Sequence, residues 1–352
     1  MSRKITAVFL SAAIAITMTS CTARAEKRYK SSFLQLFDTV TEIVGFSESR
    51  EQFTEHSRVI YEQLYEFNRL YDIYHNYEGL NNLKTINDNA GVMPVKVDRR
   101  IIDLLLFSKE MYALTNGGVN IAMGSVLSLW HEHRIEGLEN PLSASLPNGG
   151  ELLERAAHTD IREIKIDEKA STVFLSDPIM SIDVGAVAKG YAVEQTAQVA
   201  EKAGFVNGMI SVGGNIRVLG TKQGEWGQKE PWSVGIRNPD PESPEQILEI
   251  LDISDCSVVT SGIYERYYIV NGKQYHHIID PKTLMPGGYY LFVTIICRDS
   301  GLADALSTAV FCMPFGESAG LIEKLEGVEA MWGFLDGTKM YSSGFRALLK
   351  PL

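Results

Sequence analysis

Two spacings of apolar residues divide the chain into helical and extended segments. Between residues 49 and 71, apolar side chains recur every three or four positions, which is typical of an amphipathic helix. Elsewhere, short β-branched and aromatic runs are bounded by glycine, proline, asparagine or aspartate, which is typical of strands. The predicted helices span residues 49–71, 98–115, 125–131, 188–203, 302–311 and 316–325. The predicted strands span residues 39–46, 161–166, 172–175, 179–184, 208–212, 216–219, 232–236, 247–253, 264–270, 289–297, 330–334 and 340–342.

The order of these elements indicates the fold class. Runs of strands and runs of helices are mixed without a strict strand–helix–strand alternation, which predicts an α+β fold. The pattern shows no internal repeat and no low-complexity segment. A chain of 352 residues is long enough to bury a sizeable core in one large domain.

The N-terminus has the pattern of an export signal. A short basic region precedes the apolar stretch 5–18, which is shorter than the roughly 20 residues that a membrane-spanning helix needs. Small residues directly before Cys21 resemble a lipoprotein cleavage site, so Cys21 is predicted to carry lipid as the first mature residue. An ordinary signal peptide, cleaved near Ala23 or Ala25, is the alternative.

This interpretation divides the chain into three parts. Residues 1–20 are predicted to be a lipoprotein-type signal peptide, residues 22–32 a polar tether, and residues 33–352 the globular domain. The mature protein is then expected to be exported and lipid-anchored to the cell membrane on its extracytoplasmic side.

Charge and cysteine content exclude several classes of protein. The formal net charge is -11 and there is no long basic run, so a nucleic-acid partner is not expected. Apart from Cys21, the cysteines are Cys256, Cys297 and Cys312. Their odd number and wide spacing argue against a disulfide framework and against a zinc site.

Two glycine-containing segments have the composition of ligand-binding turns. In the segment 181–191, a predicted strand delivers Asp183, and a helix begins near Lys189 after a flexible turn. Such a turn can bind phosphate through backbone N–H groups, or it can be a plain strand–turn–helix junction with a surface lysine. The segment 211–217 contains Gly213-Gly214, which allows close backbone approach or a simple bulge.

A third segment combines a polar turn with two histidines. Residues 260–266 are predicted to contain a turn, and they precede the segment 275–281 with its adjacent His276 and His277. If the two segments form a hairpin, adjacent histidines point to opposite faces, so only one can face a site. The other is then expected at the surface or in a partial core.

A fourth segment places oxygen ligands on one helix face. Asp304, Ser307 and Thr308 have the spacing i, i+3 and i+4. A carboxylate with hydroxyl oxygens suits Mg²⁺, which is bound by one or two carboxylates plus substrate oxygens. Helix capping by Asp304, with the two hydroxyls bonding back to the helix, is the alternative.

In these four segments, taken in order, the chain resembles the FAD:protein FMN transferase family, also called the ApbE family. The resemblance runs from about Phe37 to the C-terminus. It implies a single α+β, T-fold-like domain with an FAD cleft between two subregions. Family members split FAD into FMN and AMP, and most attach FMN by a phosphoester bond to a threonine or serine of a target protein. Some spirochaetal relatives also hydrolyse FAD to FMN and AMP.

The resemblance also assigns roles to particular residues. The carbonyl of Ala186 and the side chains of Asp304, Ser307 and Thr308 match Mg²⁺ ligands, and His277 matches the regular histidine of its motif. The implied FAD contacts are Tyr74, which stacks on adenine, and Gly118, Val119, Asn120, Asp183, Lys189 and Ile278. Asn120 departs from the family pattern, because an aspartate is usual there.

Together these observations predict a Mg²⁺-dependent transferase that uses FAD as its substrate. His277 is the candidate general base, and Asp280 either orients it or caps the following turn. The resemblance implies a target in the flavin subunit of a membrane electron-transport complex. An FAD pyrophosphatase and a flavin-binding lipoprotein without turnover are the alternatives.

Overall fold

The computed structural model describes residues 26–224 and 228–351. The predicted signal peptide and the lipidation site Cys21 lie outside the described residues. Within those two ranges, no helix is both long enough and apolar enough to cross a membrane.

The described residues form helices and antiparallel strands in mixed order. The helices are α1 Arg50–Leu70, α2 Leu83–Asp88, α3 Arg99–Leu114, α4 Gly124–Glu139, α5 Gly149–Ala156, α6 Ala188–Lys202, α7 Ser300–Phe311 and α8 Phe315–Ile322. The strands are β1 Lys27–Leu36, β2 Thr39–Ser47, β3 Val95–Lys96, β4 Ile164–Asp167, β5 Thr172–Leu175, β6 Gly208–Val212, β7 Asn215–Leu219, β8 Lys222–Gln223, β9 Lys229–Glu230, β10 Trp232–Arg237, β11 Ile247–Ile253, β12 Ser257–Gly262, β13 Tyr267–Val270, β14 Lys273–His276, β15 Tyr290–Cys297, β16 Glu329–Phe334 and β17 Lys339–Tyr341. The predicted α+β class is confirmed.

The main sheet separates two hydrophobic cores. Its strand order is β1-β2-β6-β7-β12-β15-β16-β17. Successive residues of one strand point to opposite faces, so Val259 packs in the core beneath α1, α6 and α7, while Val258 packs beneath the β10–β11 pair. The helices α6 and α7 lie side by side on the first face, and this contact positions the candidate site.

A third, smaller core joins α4 to the β13–β14 hairpin. Val126 and Trp130 of α4 pack with Tyr268 and Val270 of the hairpin. The indole Nε1 of Trp130 also donates a hydrogen bond of 2.9 Å to the carbonyl of Leu284. This packing fixes one face of α4 beside the histidine-bearing hairpin.

Two predicted boundaries at the edges of elements are wrong. Strand β1 begins at Lys27, so residues 27–32 are part of the main sheet and not of a tether. Most of its exposed positions are polar, as expected of an edge strand, with Leu34 as the exception, and this obscures the hydrophobic signal. Helix α4 continues to Glu139, well beyond the predicted end at His131.

Two other segments have a different structure from the predicted one. Residues 179–184 do not form a strand, because only Ser181 makes a bridge, to Met123. The side-chain amide of Asn87 instead pairs with both backbone groups of Ile182, at 2.7 and 2.9 Å. Residues 260–262 are the end of β12 and not a turn.

Candidate active site

The carboxylate of Asp304 is buried at the crossing of α6 and α7. Its side chain lies on α7, the residue is 4% exposed, and Oδ2 accepts a 2.8 Å hydrogen bond from the backbone N–H of Gly190 on α6. A Cβ at Gly190 would lie 2.4 Å from the Cβ of Asp304 and 2.3 Å from the carbonyl oxygen of Ser300, so only glycine permits this crossing. The helix-capping alternative for Asp304 is wrong, because Asp299 caps α7.

Burial and charge act on Asp304 in opposite directions. Desolvation raises the pKa of this carboxyl, whereas the positive charge of Lys189 and the N–H of Gly190 favour the ionised form. The amide Nδ2 of Asn215 also favours ionisation, although it is buried without a hydrogen-bond partner among the residues that the structure describes. The carboxylate therefore lies in a place where additional positive charge would stabilise it.

The two hydroxyls that follow Asp304 have different surroundings. Ser307 Oγ donates a 2.9 Å hydrogen bond to the carbonyl of Asp304 and lies 2.8 Å from Ser261 Oγ at the end of β12. This agrees with the predicted back-bonding for Ser307. Thr308 is half-buried, and its hydroxyl makes no hydrogen bond to any residue in the described ranges. Of the two, Thr308 has the oxygen free to bind a ligand.

Asp183 and Ala186 form the turn that leads into α6. Asp183 Oδ1 accepts a 2.8 Å hydrogen bond from the N–H of Gly185, and burial raises the pKa of the Asp183 carboxyl. Its own N–H donates to the carbonyl of Ile121 at 2.9 Å, which brings the segment 118–122 to this turn.

The amide of Asn120 stabilises this segment. Nδ2 donates to the carbonyl of Thr159 at 2.9 Å, and Oδ1 accepts from the N–H of Ala122 at 3.0 Å. An ionised aspartate, which the family usually has here, cannot donate the first of these bonds. The Asn120 amide is thus engaged by backbone groups of Ala122 and of the distant Thr159, and the roles of Gly118, Val119 and Asn120 in binding the nucleotide remain predictions.

The adjacent histidines have different surroundings, because β14 ends at His276, which is buried, while His277 is exposed just beyond the strand. His276 is buried, packs edge-on against Phe311, and its Nε2 lies 2.8 Å from the carbonyl oxygen of Gly287. Its Nδ1 accepts the N–H of Ile278, whose carbonyl accepts the N–H of Gly287. Both backbone groups of Ile278 are therefore used internally, and its flavin contact stays a prediction.

A backbone carbonyl orients one ring nitrogen of His277, and the other ring nitrogen has no hydrogen-bond partner in the described ranges. Nδ1 lies 3.2 Å from the carbonyl oxygen of Arg266. A carbonyl only accepts hydrogen bonds, so Nδ1 carries the proton and Nε2 retains a lone pair. Asp280 instead accepts from Lys282 N–H and the Thr283 hydroxyl, which assigns it to the turn and not to the orientation of His277.

The surroundings of His277 keep its imidazole neutral. The His277 side chain is in contact with solvent on one side, while protein atoms closely surround the rest of the ring. This burial, followed by the positive charge of Arg266, lowers the pKa of His277 to about 3. The charge of Lys189 acts in the same direction. Because the charge of Lys189 acts on both His277 and Asp304, the three groups lie near one another, and we call the region between them the candidate cleft.

We expect His277 to titrate near pH 3 in the free protein, far below its ordinary value of 6.5. The unfolded chain binds this proton near pH 6.5. The group therefore stabilises the native state fully above pH 6.5, and this contribution is lost as the pH falls from 6.5 towards 3. An NMR titration of the His277 ring without FAD or metal measures the pKa directly. A midpoint near 6.5 would contradict the described environment.

The sequence alone did not assign roles to two groups on α4. The ring of His131 lies 5.4 Å from that of Tyr74, centroid to centroid, at an interplanar angle of 31°. Arg134 Nη2 donates a 3.0 Å hydrogen bond to His131 Nδ1. The signal that could have found them is helical spacing: the two residues lie three positions apart, but the predicted helix ended at His131.

The chain belongs to the ApbE family, because the family model matches residues 37–332. It is 34% identical to the FAD:protein FMN transferase of Treponema pallidum (strain Nichols) over 272 residues, which cover 74% of this chain and 73% of that protein. A Klebsiella pneumoniae protein of the same name is 30% identical, with 76% of this chain and 79% of that protein covered. The predicted family and the predicted enzyme class, a transferase, are confirmed.

Solved structures confirm the fold. The ApbE protein of Thermotoga maritima superposes with a TM-score of 0.80 at 28% identity, covering 92% of this chain and all of that chain (100%). The flavin transferase ApbE of Vibrio cholerae superposes with a TM-score of 0.72 at 24% identity, again covering 92% and 100%. The single α+β domain that the sequence predicted is therefore confirmed.

Proposed function

We propose that this chain is a FAD:protein FMN transferase that cleaves FAD, attaches FMN to a serine or threonine of a target protein, and releases AMP. The observation that carries the proposal is the buried Asp304 carboxylate at the α6–α7 crossing, with the charge of Lys189 close to both Asp304 and the neutral His277. The names of the curated relatives supply the substrate and the reaction.

The residues at the α6–α7 crossing fit Mg²⁺. Among the described residues, no group of three or more histidine, cysteine and acidic side chains could hold a metal, so an ion would depend on one carboxylate and neutral oxygens. Asp304, the Thr308 hydroxyl and the Ala186 carbonyl would supply such oxygens, and substrate phosphates would complete the set. The buried Asp304 carboxylate has no ion pair within 4.0 Å in the described ranges, and it would gain one from a cation. When bound, Mg²⁺ neutralises phosphate charge.

The remaining chemistry falls to the side chains of the cleft. The acceptor hydroxyl oxygen forms a bond to the FMN phosphorus, and the bond from that phosphorus to the AMP oxygen breaks. His277 Nε2 accepts the proton of the hydroxyl, since Nδ1–H is fixed by the Arg266 carbonyl. The negative charge of the bound diphosphate would raise the low pKa of this imidazole and so make it a stronger base. The ammonium of Lys189 stabilises negative charge that develops on the phosphates.

Replacing His277 by alanine is expected to lower turnover by about 10²-fold or more while FAD affinity changes little, because the base acts only in the transition state. The matched control is His276→Ala. That ring is buried and hydrogen-bonded to the Gly287 carbonyl. Its loss should therefore lower the melting temperature, while the turnover of the folded protein changes little. Rates of AMP release and FAD affinity are measured for both variants. Greater loss of turnover in folded His276→Ala would reject His277 as the base.

We also propose that the protein is exported and anchored by lipid at Cys21, with an exported flavin subunit of an electron-transport complex as its target. The apolar stretch 5–18 followed by small residues and a cysteine supports the anchor. Cys21→Ser should move the protein from the membrane fraction to the soluble fraction or block its processing. Cell fractionation and the mass of the mature N-terminus test this. An unchanged membrane fraction with no lipid on Cys21 would contradict it.

A further inference from the structure

Two guanidinium groups face the candidate cleft without acidic partners. Arg134 is half-buried on α4, and Arg266 lies directly before β13. Within the two described ranges, neither arginine has a carboxylate oxygen within 4.0 Å. Arg266 is exposed, but the half-buried positive charge of Arg134 is unfavourable without a counterion unless a ligand supplies the missing anion.

The two groups are close enough to repel each other. After burial, the charge of Arg266 is the next cause that lowers the pKa of the Arg134 guanidinium. The negative charge of Asp183 also acts on Arg266, His131 and Tyr74, but among the described residues it forms no ion pair with either histidine or arginine. The cluster therefore retains an excess of positive charge, which an anion bound between the arginines would relieve.

Helix α4 holds Arg134 in a fixed direction. Because a guanidinium only donates, its 3.0 Å bond to His131 Nδ1 makes that nitrogen an acceptor, and His131 is neutral. Burial and the charge of Arg134 lower the pKa of His131, which agrees with this protonation state. Gly137, one turn later, packs so closely on Tyr268 that a Cβ would lie 2.7 Å from its ring. Arg134 thus lies on a helix that packs tightly against the β13–β14 hairpin.

An exposed aromatic surface lies beside this positive charge. Tyr74 is 53% exposed, while His131 covers part of its ring. An aromatic ring next to paired guanidinium groups offers stacking for a base and charge-assisted hydrogen bonds for a phosphate. This combination suits a nucleoside monophosphate better than it suits an acidic peptide, which has no planar base.

We propose that Arg134 and Arg266 bind the phosphate of the adenylate half of the substrate, and that His131 orients Arg134 and supports Tyr74. The identification of the ligand as an adenylate rests on the proposed function. In the reaction, this site would hold the nucleotide that leaves, and it would stabilise the charge that AMP acquires when its bond to FMN breaks.

The test is calorimetric titration of AMP and of adenosine into a soluble form beginning at residue 22, without Mg²⁺. Arg134→Gln should weaken AMP binding by about tenfold or more, because a charge-assisted hydrogen bond to phosphate is lost. Adenosine binding should be unchanged, and Arg134→Lys should recover part of the AMP affinity. The control is Arg162→Gln, since Arg162 pairs with Asp160 outside the cleft. Circular dichroism verifies that each variant is folded.

The outcomes separate this inference from the proposed function. Unchanged AMP affinity in Arg134→Gln, or an equal loss for adenosine, would overturn the inference even if FMN transfer is observed. Weakened binding of an acceptor peptide with unchanged AMP affinity would assign the arginines to the target protein instead, and would also overturn it. The predicted AMP result in a chain that transfers no FMN would refute the proposed function alone.

Discussion

Asp304→Ala is expected to abolish Mg²⁺-dependent cleavage of FAD. Asp304 supplies the carboxylate of the candidate metal site, and the remaining oxygens are a neutral hydroxyl and a neutral carbonyl, which bind Mg²⁺ weakly. Asp304→Asn separates charge from shape, because an amide oxygen can still accept the N–H of Gly190. Both variants should lose at least about 10³-fold in Mg²⁺-stimulated AMP release, as expected when the metal and its charge stabilisation are lost.

The stability of these variants provides an independent measurement. The sequence suggested a carboxylate on a helix surface, but the residue is only 4% exposed. In Asp304→Asn the Gly190 N–H keeps an acceptor while the desolvated charge is removed. Without metal, this variant should therefore be at least as stable as the unchanged protein. Asp299→Asn is the matched control, since it removes a charge from the same helix and keeps the N-cap. Normal Mg²⁺ dependence in folded Asp304→Ala would place the metal elsewhere.

Arg217→Met is expected to lower the free energy of unfolding by about 3–5 kcal/mol, because it leaves a buried carboxylate unpaired. The side chains of Arg217 and Glu194 are 4% and 8% exposed, and their N–O distance is 3.0 Å. Glu194 Oε2 also accepts the N–H of Ser300 at 3.0 Å. The pair thus ties α6 and β7 to the start of α7, which carries Asp304.

Urea denaturation of three variants measures this contribution. Arg58→Met is the control, because Arg58 forms exposed pairs with Glu55 and Glu62, so its replacement should lower the free energy of unfolding far less. Adding Glu194→Gln to Arg217→Met should recover part of the stability, since the unpaired charge is then gone. If Arg58→Met and Arg217→Met lower the free energy of unfolding equally, burial does not determine the contribution of the Arg217–Glu194 pair.

The sequence predicts the fold best where local signals agree with burial. Helix α1 begins where expected, because Ser49 accepts a hydrogen bond from the N–H of Gln52 and one apolar stripe faces the core. Strand β1 was missed because an edge strand carries many polar residues. The segment 179–184 was assigned to a strand because its composition is suitable, but its backbone is paired by the distant side chain of Asn87.

In the candidate site, too, the sequence predicts features that depend on neighbouring residues, but not contacts between residues far apart in the chain. The residues of the loops and of α7 could be found from their motifs, and the alternation of side chains along a strand led to the expectation that only one of His276 and His277 faces the site. The contact between Gly190 and Asp304 spans 114 positions, so no local pattern encodes it. The Arg266 carbonyl fixes the proton of His277 on Nδ1 and so leaves the lone pair on Nε2. Every residue has a backbone carbonyl, so the sequence does not indicate this contact.

The most direct test of the proposed transferase function is mass spectrometry of an acceptor peptide after incubation with the protein and FAD. The peptide contains the sequence Ser-Gly-Ala-Thr or Thr-Gly-Ala-Thr, and the reaction is run with Mg²⁺ and with a chelator. The account predicts FMN attached covalently to the peptide, one AMP released for each FMN attached, and neither product with the chelator or with Asp304→Ala. Release of AMP without a modified peptide would indicate an FAD pyrophosphatase, and FAD binding without any AMP would indicate a flavin-binding protein. Either result would contradict the transferase function.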